Sequence, residues 1–395
     1  MNIKEKINQL ASDNFNEIIE IRRHLHKFPE LSFHESETSK YLCSKLDLLK
    51  IPYKTGYAKY GIIADIKGKP DSGKMVALRA DMDALAIDEK NTFHFKSVNE
   101  GVMHACGHDV HMASLLGTAK ILNELKDHWA GKVRLIFQPA EEKIPGGAKQ
   151  MLQEGIFKDQ NPDYVIAQHV DPTMETGKIG IRSGMYMAST DEIYLTITGK
   201  GGHAAIPDKI TDTVLSAANI ITGLQQIVSR KANPIIPTVL SFGKIIANGA
   251  TNIIPDKVYI DGTFRTFNES WRKEAHQKIK KISQEIAAIL DTECEVEVLN
   301  GYPFLVNDAG LTDITIVNAK QYLGIENVEN LELRMTSEDF SYFSQKYPSV
   351  LYRLGCGNHK KQAIYPLHSD KFNVDEDAII AGMGFMAYNA IMLLK

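Results

Sequence analysis

Strand-like and helix-like stretches alternate along the first part of this chain, and that alternation constrains the fold more than any other feature. Apolar residues recur at helical spacing over 13–27 (Ile18, Ile19, Leu25) and 35–49 (Tyr41, Leu42, Leu46, Leu49). Short β-rich runs follow at 61–67 and 75–79, and a helix fits 108–125. A buried strand at 133–138, a short helix at 147–154 and another strand at 164–169 complete the series. Strands alternating with helices predict an α/β fold, with a mixed, mostly parallel sheet covered by helices on both faces. The ends of such strands are where ligands gather.

The pattern changes after about residue 185. Strands are expected at 192–198, 239–246, 257–267 and 294–299, with helices at 211–229 and 270–290. The order β-α-β-β-α-β is the split βαβ, ferredoxin-like arrangement, a compact α+β unit by itself. After 302 the first style resumes, with helices at 311–322 and near the C-terminus and a strand at 350–354. The reading is therefore a larger domain of 1–184 and 301–395 interrupted by a smaller one at 185–300.

Composition sets limits on function. The 395 residues carry a net charge of -4, with Lys and Arg scattered among Asp and Glu, so no nucleic-acid partner is expected. The N-terminus, MNIKEKINQL, has no apolar stretch or cleavage signature. The four cysteines are far apart and form no CxxC pair, which suits a reducing cytoplasm. The uncharged run from Ala378 to Leu394 is short for a membrane span, and Asp375, Glu376 and Asp377 crowd its start as they would a helix N-terminus. A buried C-terminal helix and no membrane partner are the expectation.

Five clusters carry chemistry. HACGHDVH at 104–111 packs a Cys among histidines before a helix, where Cys106 and His108 can converge on a zinc-type metal and the helix start would favour a thiolate. A buried structural Cys beside solvent-facing histidines is the plainer alternative. FQPAEE at 137–142 places two acids at a strand end, where one can ligate a metal and its neighbour take a proton from water. A charged loop entering a helix would look the same. His169 closes an apolar strand, His368 sits in a loop before the last helix, and Asp81 and Asp83 follow a strand in LRADMDAL. Each has an ordinary reading: a satisfied core His, an idle loop His, a pair of turn-forming acids. All five nevertheless lie at strand ends or in adjoining loops of the larger domain. Cys, three His and Glu exceed what one tetrahedral ion takes, so two ions sharing a ligand is the economical reading.

The chain resembles the dinuclear metallopeptidase-like amidohydrolases, which include hippurate hydrolase, N-acetyldiaminopimelate deacetylase, N-acyl-amino-acid amidohydrolases and auxin-conjugate hydrolases. The likeness runs in order through RRHLHKFPELSFHE (22–35), LRADMDAL (78–85), MHACGHDVHMASLLG (103–117), FQPAEE, QHV (168–170), GKGGHAAIP (199–207), TNIIP (251–255), DGTFR (261–265), EDF (338–340) and PLHSDKF (366–372). It implies a zinc-aminopeptidase-like catalytic domain with Cys106, His108, Glu142, His169 and His368 as ligands to two divalent ions (Zn, Mn, Co or Ni). It also implies Glu141 as general base and the inserted domain as a lid that mediates a homodimer. The substrate class implied is the N-acyl amino acid. Within the inserted domain, His203 would donate to the developing oxyanion, while Asn252 and Arg265 resemble substrate-facing positions, Arg265 suiting a carboxylate. A turn His and a strand Arg are their plain readings. Asp83 would orient a ligand His from behind. The sequence departs from the family at Ala86-Ile87-Asp88-Glu89, where Pro-Ile-x-Glu is common, and at Lys143-Ile144-Pro145, which lengthens a turn. A thiol hydrolase using Cys106 and a His, a carboxypeptidase on the same site, and a non-catalytic metal- or peptide-binding protein are the other readings.

Overall fold

A computed structural model describes residues 1–70 and 73–395. Its contacts divide the chain into two compact units. One comprises Met1–Tyr186, Val306–Leu333 and Asp339–Lys395; the other comprises Met187–Leu305 and Arg334–Glu338.

The first unit is built on an 8-stranded sheet. In spatial order the strands are Tyr53–Tyr57, Gly61–Lys67, Lys132–Gln138, Met75–Asp81, Tyr164–Glu175, Ser349–Gly357, Ile179–Ile181 and Val328–Asn330. The four central strands run parallel, while Gly61–Lys67 pairs antiparallel with Lys132–Gln138, and Ile179–Ile181 with Ser349–Gly357. Met75–Asp81 is buried at every position and Ser349–Gly357 at all but the last. Burial without alternation means both faces are covered, as a parallel core requires. The register pairs Asp81 with Gln138 and His169 with Arg353. The sequence clusters that follow these strands therefore emerge along one carboxyl edge of the sheet.

Three long helices, Ile3–Lys27, His108–Glu124 and Ala378–Leu394, pack against one another. The first starts well before residue 13, because Asn2 and Glu5 form a capping box that satisfies its opening amides. Ile7, Ala11, Ile18 and Leu25 keep the helical spacing along its buried face. The last helix is buried along nearly its whole length, with Asn389 accepting from Asn318 Nδ2 at 2.8 Å. Its leading acids are held by side chains rather than by the helix dipole alone: Glu376 accepts from Arg22 and Arg23, and Asp375 from Lys361, Asn358 and Thr176. Among the described residues no helix is long and apolar enough to cross a membrane.

The second unit holds a 4-stranded antiparallel sheet in the order Thr238–Ile246, Lys257–Thr266, Asp191–Thr198, Glu293–Asn300. With helices Thr213–Gln226 and Glu269–Ile289, this is the split βαβ topology. Burial alternates along Asp191–Thr198, so Ile193, Leu195 and Ile197 meet Ile220, Leu224, Ala275 and Ile279 in one small core. Asp191, fully buried, accepts from Arg272 Nη2 at 2.6 Å, from His276 Nε2 at 2.7 Å and from the Gly301 amide. Despite its burial, these partners hold its carboxyl below the usual range. Asp191→Ala removes the buried counter-charge of the Arg272 guanidinium, leaving it only the more exposed Glu269, and is expected to lower unfolding free energy by about 3 kcal/mol in urea melts. A loss under about 0.5 kcal/mol would show the cluster to be dispensable.

Candidate metal centre

The carboxyl edge of the first unit gathers Cys106, His108, Glu141, Glu142, His169 and His368. Three overlapping triads each place their ligand atoms within 4.8 Å of one another: Cys106, His108 and His169; Cys106, Glu142 and His368; His108, Glu141 and Glu142. Cys106 and His108 converge because the chain turns sharply between them. Gly107 takes φ 82°, and a Cβ there would lie 2.4 Å from Val170 Cγ2, so glycine alone fits. Glu141 and Glu142 follow Ala140, and His368 itself has φ 64°. A non-glycine residue held at positive φ is costly and persists where surrounding contacts enforce it, as the Ala105 carbonyl does by accepting the His368 amide at 2.8 Å.

Hydrogen bonds at the back of each ring fix which nitrogen faces the cluster. His108 Nδ1 donates to the Asp83 carbonyl at 2.8 Å, and His169 Nδ1 to the Val170 carbonyl at 2.8 Å. Both Nε2 atoms then point inward, His169 Nε2 lying 3.4 Å from Cys106 Sγ. His368 Nε2 lies 3.4 Å from Glu142 Oε1. His111 differs from its neighbours. Its Nδ1 bonds Asp81 at 2.6 Å and its Nε2 accepts the Val170 amide at 2.9 Å, so both nitrogens are engaged and it is a scaffold residue.

The electrostatics call for a cation. His108 Nε2 and Glu142 Oε1 are buried 3.8 Å apart, with no hydrogen-bond partner among the described residues. Against the desolvation of full burial, the charges of Asp81, Asp83 and Glu142 push His108 up to about 10. A proton on that ring supplies positive charge that a metal ion would replace. Burial, then the nearby charge of Arg353, pulls His169 well below its usual value, leaving it a neutral donor. The helix start does not by itself hold Cys106 as a thiolate, contrary to the expectation from sequence: burial, then Glu142 and Glu141, push its thiol well above the ordinary range. A cation is what would ionise it. Imidazole nitrogens, a thiol and carboxylates in overlapping sets fit metal ions of the zinc type.

Asp83 stands behind this cluster. Its carboxylate accepts the Glu141 amide at 3.0 Å, the Glu142 amide at 2.9 Å and the Ser32 hydroxyl at 2.6 Å. Sequence reasoning missed two further supports. Asp339 accepts from Arg79 Nη2, Gln138 Nε2 and the Ala148 amide, which ties the start and end of the 138–148 turn together. Asp109, next to His108, accepts at one oxygen from His26 Nδ1 at 2.8 Å, and the same oxygen forms an ion pair with Arg22 Nε at 2.8 Å. The signal for both was present, in the EDF and RRHLH motifs, but no spacing rule says what they touch.

His26 donates at both nitrogens, to Asp109 and to Glu89 at 3.1 Å, so it is a buried imidazolium. Desolvation and Arg22 lower its pKa, but Asp109 and Glu89 outweigh them and raise it above 6.5. A raised folded pKa gives stability that is fully present below pH 6.5 and lost as pH rises through the folded value. The stability difference between wild type and His26→Gln is therefore expected to shrink with rising pH in parallel denaturant melts. A gap independent of pH from about 5 to about 9 would show that folding leaves the pKa of the ring unshifted.

The second unit carries His203, Asn252 and Arg265. His203 pairs with Ile253 across a two-stranded ladder, its Nδ1 accepts the Ala205 amide at 3.1 Å, and its side chain is exposed. The Asn252 carbonyl accepts the Ala204 amide beside it. Arg265 Nη1 donates to the Met335 carbonyl at 3.0 Å, so this guanidinium is partly engaged within its own unit.

Comparison with known proteins shows the family. The sequence profile of Peptidase family M20/M25/M40 matches residues 77–390. An N-acyl-L-amino acid amidohydrolase of Geobacillus stearothermophilus is 42% identical over 304 residues, covering 77% of this chain and 81% of that protein. Thermostable carboxypeptidase 2 of Saccharolobus solfataricus is 39% identical over 386 residues, covering 97% and 96%. The crystal structure of a dinuclear metal-binding peptidase of the M20 family from Bacillus subtilis superposes with TM-score 0.81 at 31% identity, covering 97% of this chain and 99% of that one. Profile, relatives and architecture span both units, and the chain belongs to Peptidase family M20/M25/M40 as a hydrolase acting on amide bonds.

Proposed function

We propose that the chain hydrolyses the amide bond of N-acyl amino acids, releasing a carboxylate and a free amino acid. The observation that carries this reading is the trio of overlapping triads, one of which sets a second acid, Glu141, next to Glu142 with its backbone amide held by Asp83. Cys106, His108, Glu142, His169 and His368 would hold two divalent ions. When bound, such ions supply Lewis acidity and bring the pKa of water toward neutrality.

The protein's own groups do the rest. Glu141 takes a proton from the attacking water at its carboxylate and returns it to the leaving amine nitrogen. Asp83 keeps that carboxylate in place through the backbone, and holds His108 in the tautomer that turns Nε2 inward. We assign His203 as donor to the developing oxyanion. Asn252 and Arg265 are assigned to the substrate's amino-acid end, Arg265 facing its carboxylate. The second unit is assigned as lid and homodimer contact. A thiol ligand works only when reduced, which suits the cytoplasm.

A second reading, carboxypeptidase or dipeptidase, uses the same site with an aminoacyl in place of a simple acyl group. The similarity to a thermostable carboxypeptidase favours it. One panel separates the two: N-acetyl, N-benzoyl and N-succinyl amino acids against dipeptides, each with added zinc, manganese or cobalt. Higher kcat/KM on N-acyl amino acids supports the first reading, and higher kcat/KM on dipeptides replaces it with the second.

A further inference from the structure

The function proposed above leaves the segment 22–35 unused, although its residues crowd the back of the site. Within it, Glu35 has an unusual placement. It occupies the N-cap position of helix Ser36–Leu48, yet its side chain caps nothing there. The opening amides of that helix, at Glu37 and Thr38, go to Glu30 instead. Glu35 is thereby released to reach across to the 138–148 turn, where its Oε1 accepts the Ala140 amide at 2.8 Å.

That contact completes a row. Three consecutive amides, at Ala140, Glu141 and Glu142, are each accepted by a buried carboxylate: the first by Glu35, the other two by Asp83. Ala140 is the residue where the chain reverses, with φ 54°. It is an alanine, so its own side chain gives no preference for that left-handed conformation. It is clamped from both sides, by Glu35 at its amide and by the Gly147 amide at its carbonyl, 2.9 Å away. Gly147 has no room for a side chain, since a Cβ would lie 1.8 Å from the Pro139 oxygen. The direction of the next side chain, Glu141, is set by this reversal.

Glu35 is costly to keep. It is fully buried, and its Oε2 has no hydrogen-bond partner among the described residues. Burial and the neighbouring Asp83 charge push its carboxyl up to about 7. Its side chain reaches the turn that carries Glu141. A buried, under-satisfied acid calls for an explanation other than stability.

We propose that Glu35 is a positioning residue of the hydrolytic reaction: by accepting the Ala140 amide it holds the left-handed turn that aims the Glu141 carboxylate. This rests on the reading of Glu141 as the base, but the conformational half of it stands apart from any substrate.

Two variants and two readouts test it. Glu35→Ala removes the acceptor; Glu35→Gln keeps an acceptor oxygen in the same shape and loses the charge. Hydrogen exchange in the metal-free protein reads the turn directly. In Glu35→Ala the amides of 140–142 are expected to exchange at least about tenfold faster, with the core strands and the Ala378–Leu394 helix unchanged. Metal-loaded enzyme should then show kcat lower by about 10- to 100-fold on whichever amide wild type turns over, with KM within about threefold. Glu35→Gln should return both to within about threefold of wild type. Wild-type exchange at 140–142 in Glu35→Ala overturns the proposal. So does faster exchange spread over the whole unit, which would mark a general folding role. Equal damage in Glu35→Gln also overturns it, because charge rather than the acceptor would then matter. If wild type turns over no amide, the functional reading fails while the exchange comparison still decides whether Glu35 holds the turn.

Discussion

Glu141→Gln is expected to abolish nearly all turnover while leaving the protein folded and able to bind metal. Glutamine has the same shape, and the backbone of residue 141 still donates to Asp83, so the turn keeps its conformation. What is lost is a basic oxygen that can take a proton from water and give it to the leaving nitrogen. General-base removal costs about 10²- to 10⁴-fold in kcat, and the upper end applies where one group both accepts and delivers the proton. Glu142→Gln provides the contrast. It changes a group whose Oε1 is buried 3.8 Å from His108 Nε2 and 3.4 Å from His368 Nε2, so its first effect should be on metal affinity. Metal content by elemental analysis, thermal melts and kcat for both variants distinguish the two acids. If Glu141→Gln keeps more than about a tenth of wild-type kcat with full metal content, the base lies elsewhere. If it loses metal as Glu142→Gln does, the two adjacent roles are reversed or shared.

The separation of those two acids shows what the sequence can and cannot say. Residue type alone leaves each cluster an ordinary reading, and it is the ordered likeness to a family along the chain that picks out Cys106, His108, Glu142, His169 and His368 together. The sheet was legible in its own residues. Met75–Asp81 and Ser349–Gly357 are buried nearly throughout and mostly apolar, broken by the buried Arg79 and Arg353, and burial on both faces leaves that mark. The edge strand Tyr53–Tyr57 left none. It is partly exposed throughout and held by antiparallel pairing with Gly61–Lys67, so its side chains are free of the core's selection. The short strands Ile179–Ile181 and Val328–Asn330 are too brief to show any period. The excursion of Arg334–Glu338 into the second unit has no compositional sign either.

Long-range partnerships were the least legible. Nothing in the spacing of residues 22–35 says that His26 meets Asp109, that Ser32 meets Asp83 or that Glu35 meets Ala140. His111 stands one helical turn from His108, and Asp81 and the Val170 amide occupy both of its nitrogens. Hydrogen-bond accounting around each ring, which only the fold supplies, separates ligand from scaffold.

Cys106 is the other position where a single change should be decisive. It belongs to two of the overlapping triads, linking the His169 side of the cluster to the Glu142 and His368 side. In the metal-free protein its thiol is held high by burial and by two neighbouring carboxylates. It should therefore react slowly with alkylating reagents at pH 8, a value about half a unit below the pKa of a free thiol. Cys106→Ala removes a ligand that a cation would ionise, and metal affinity should fall by at least about 100-fold, the upper end of what the loss of an indirect support costs. Turnover should fall with it, and added metal should restore it only in part. Peroxide offers the same test without mutation. A sulfenate or higher oxide at Cys106 no longer presents the thiolate, so oxidation should release metal and inactivate in parallel, with a thiol reductant reversing the first stage only. Cys43, Cys294 and Cys356 lie outside every ligand triad, so their oxidation should leave metal content unchanged. Competition titration with a chromophoric chelator gives the affinity of wild type and variant on one scale. Unchanged affinity and activity in Cys106→Ala would mean that the sulfur is a bystander and that the His108, His169, Glu142 and His368 side chains hold the metal without it.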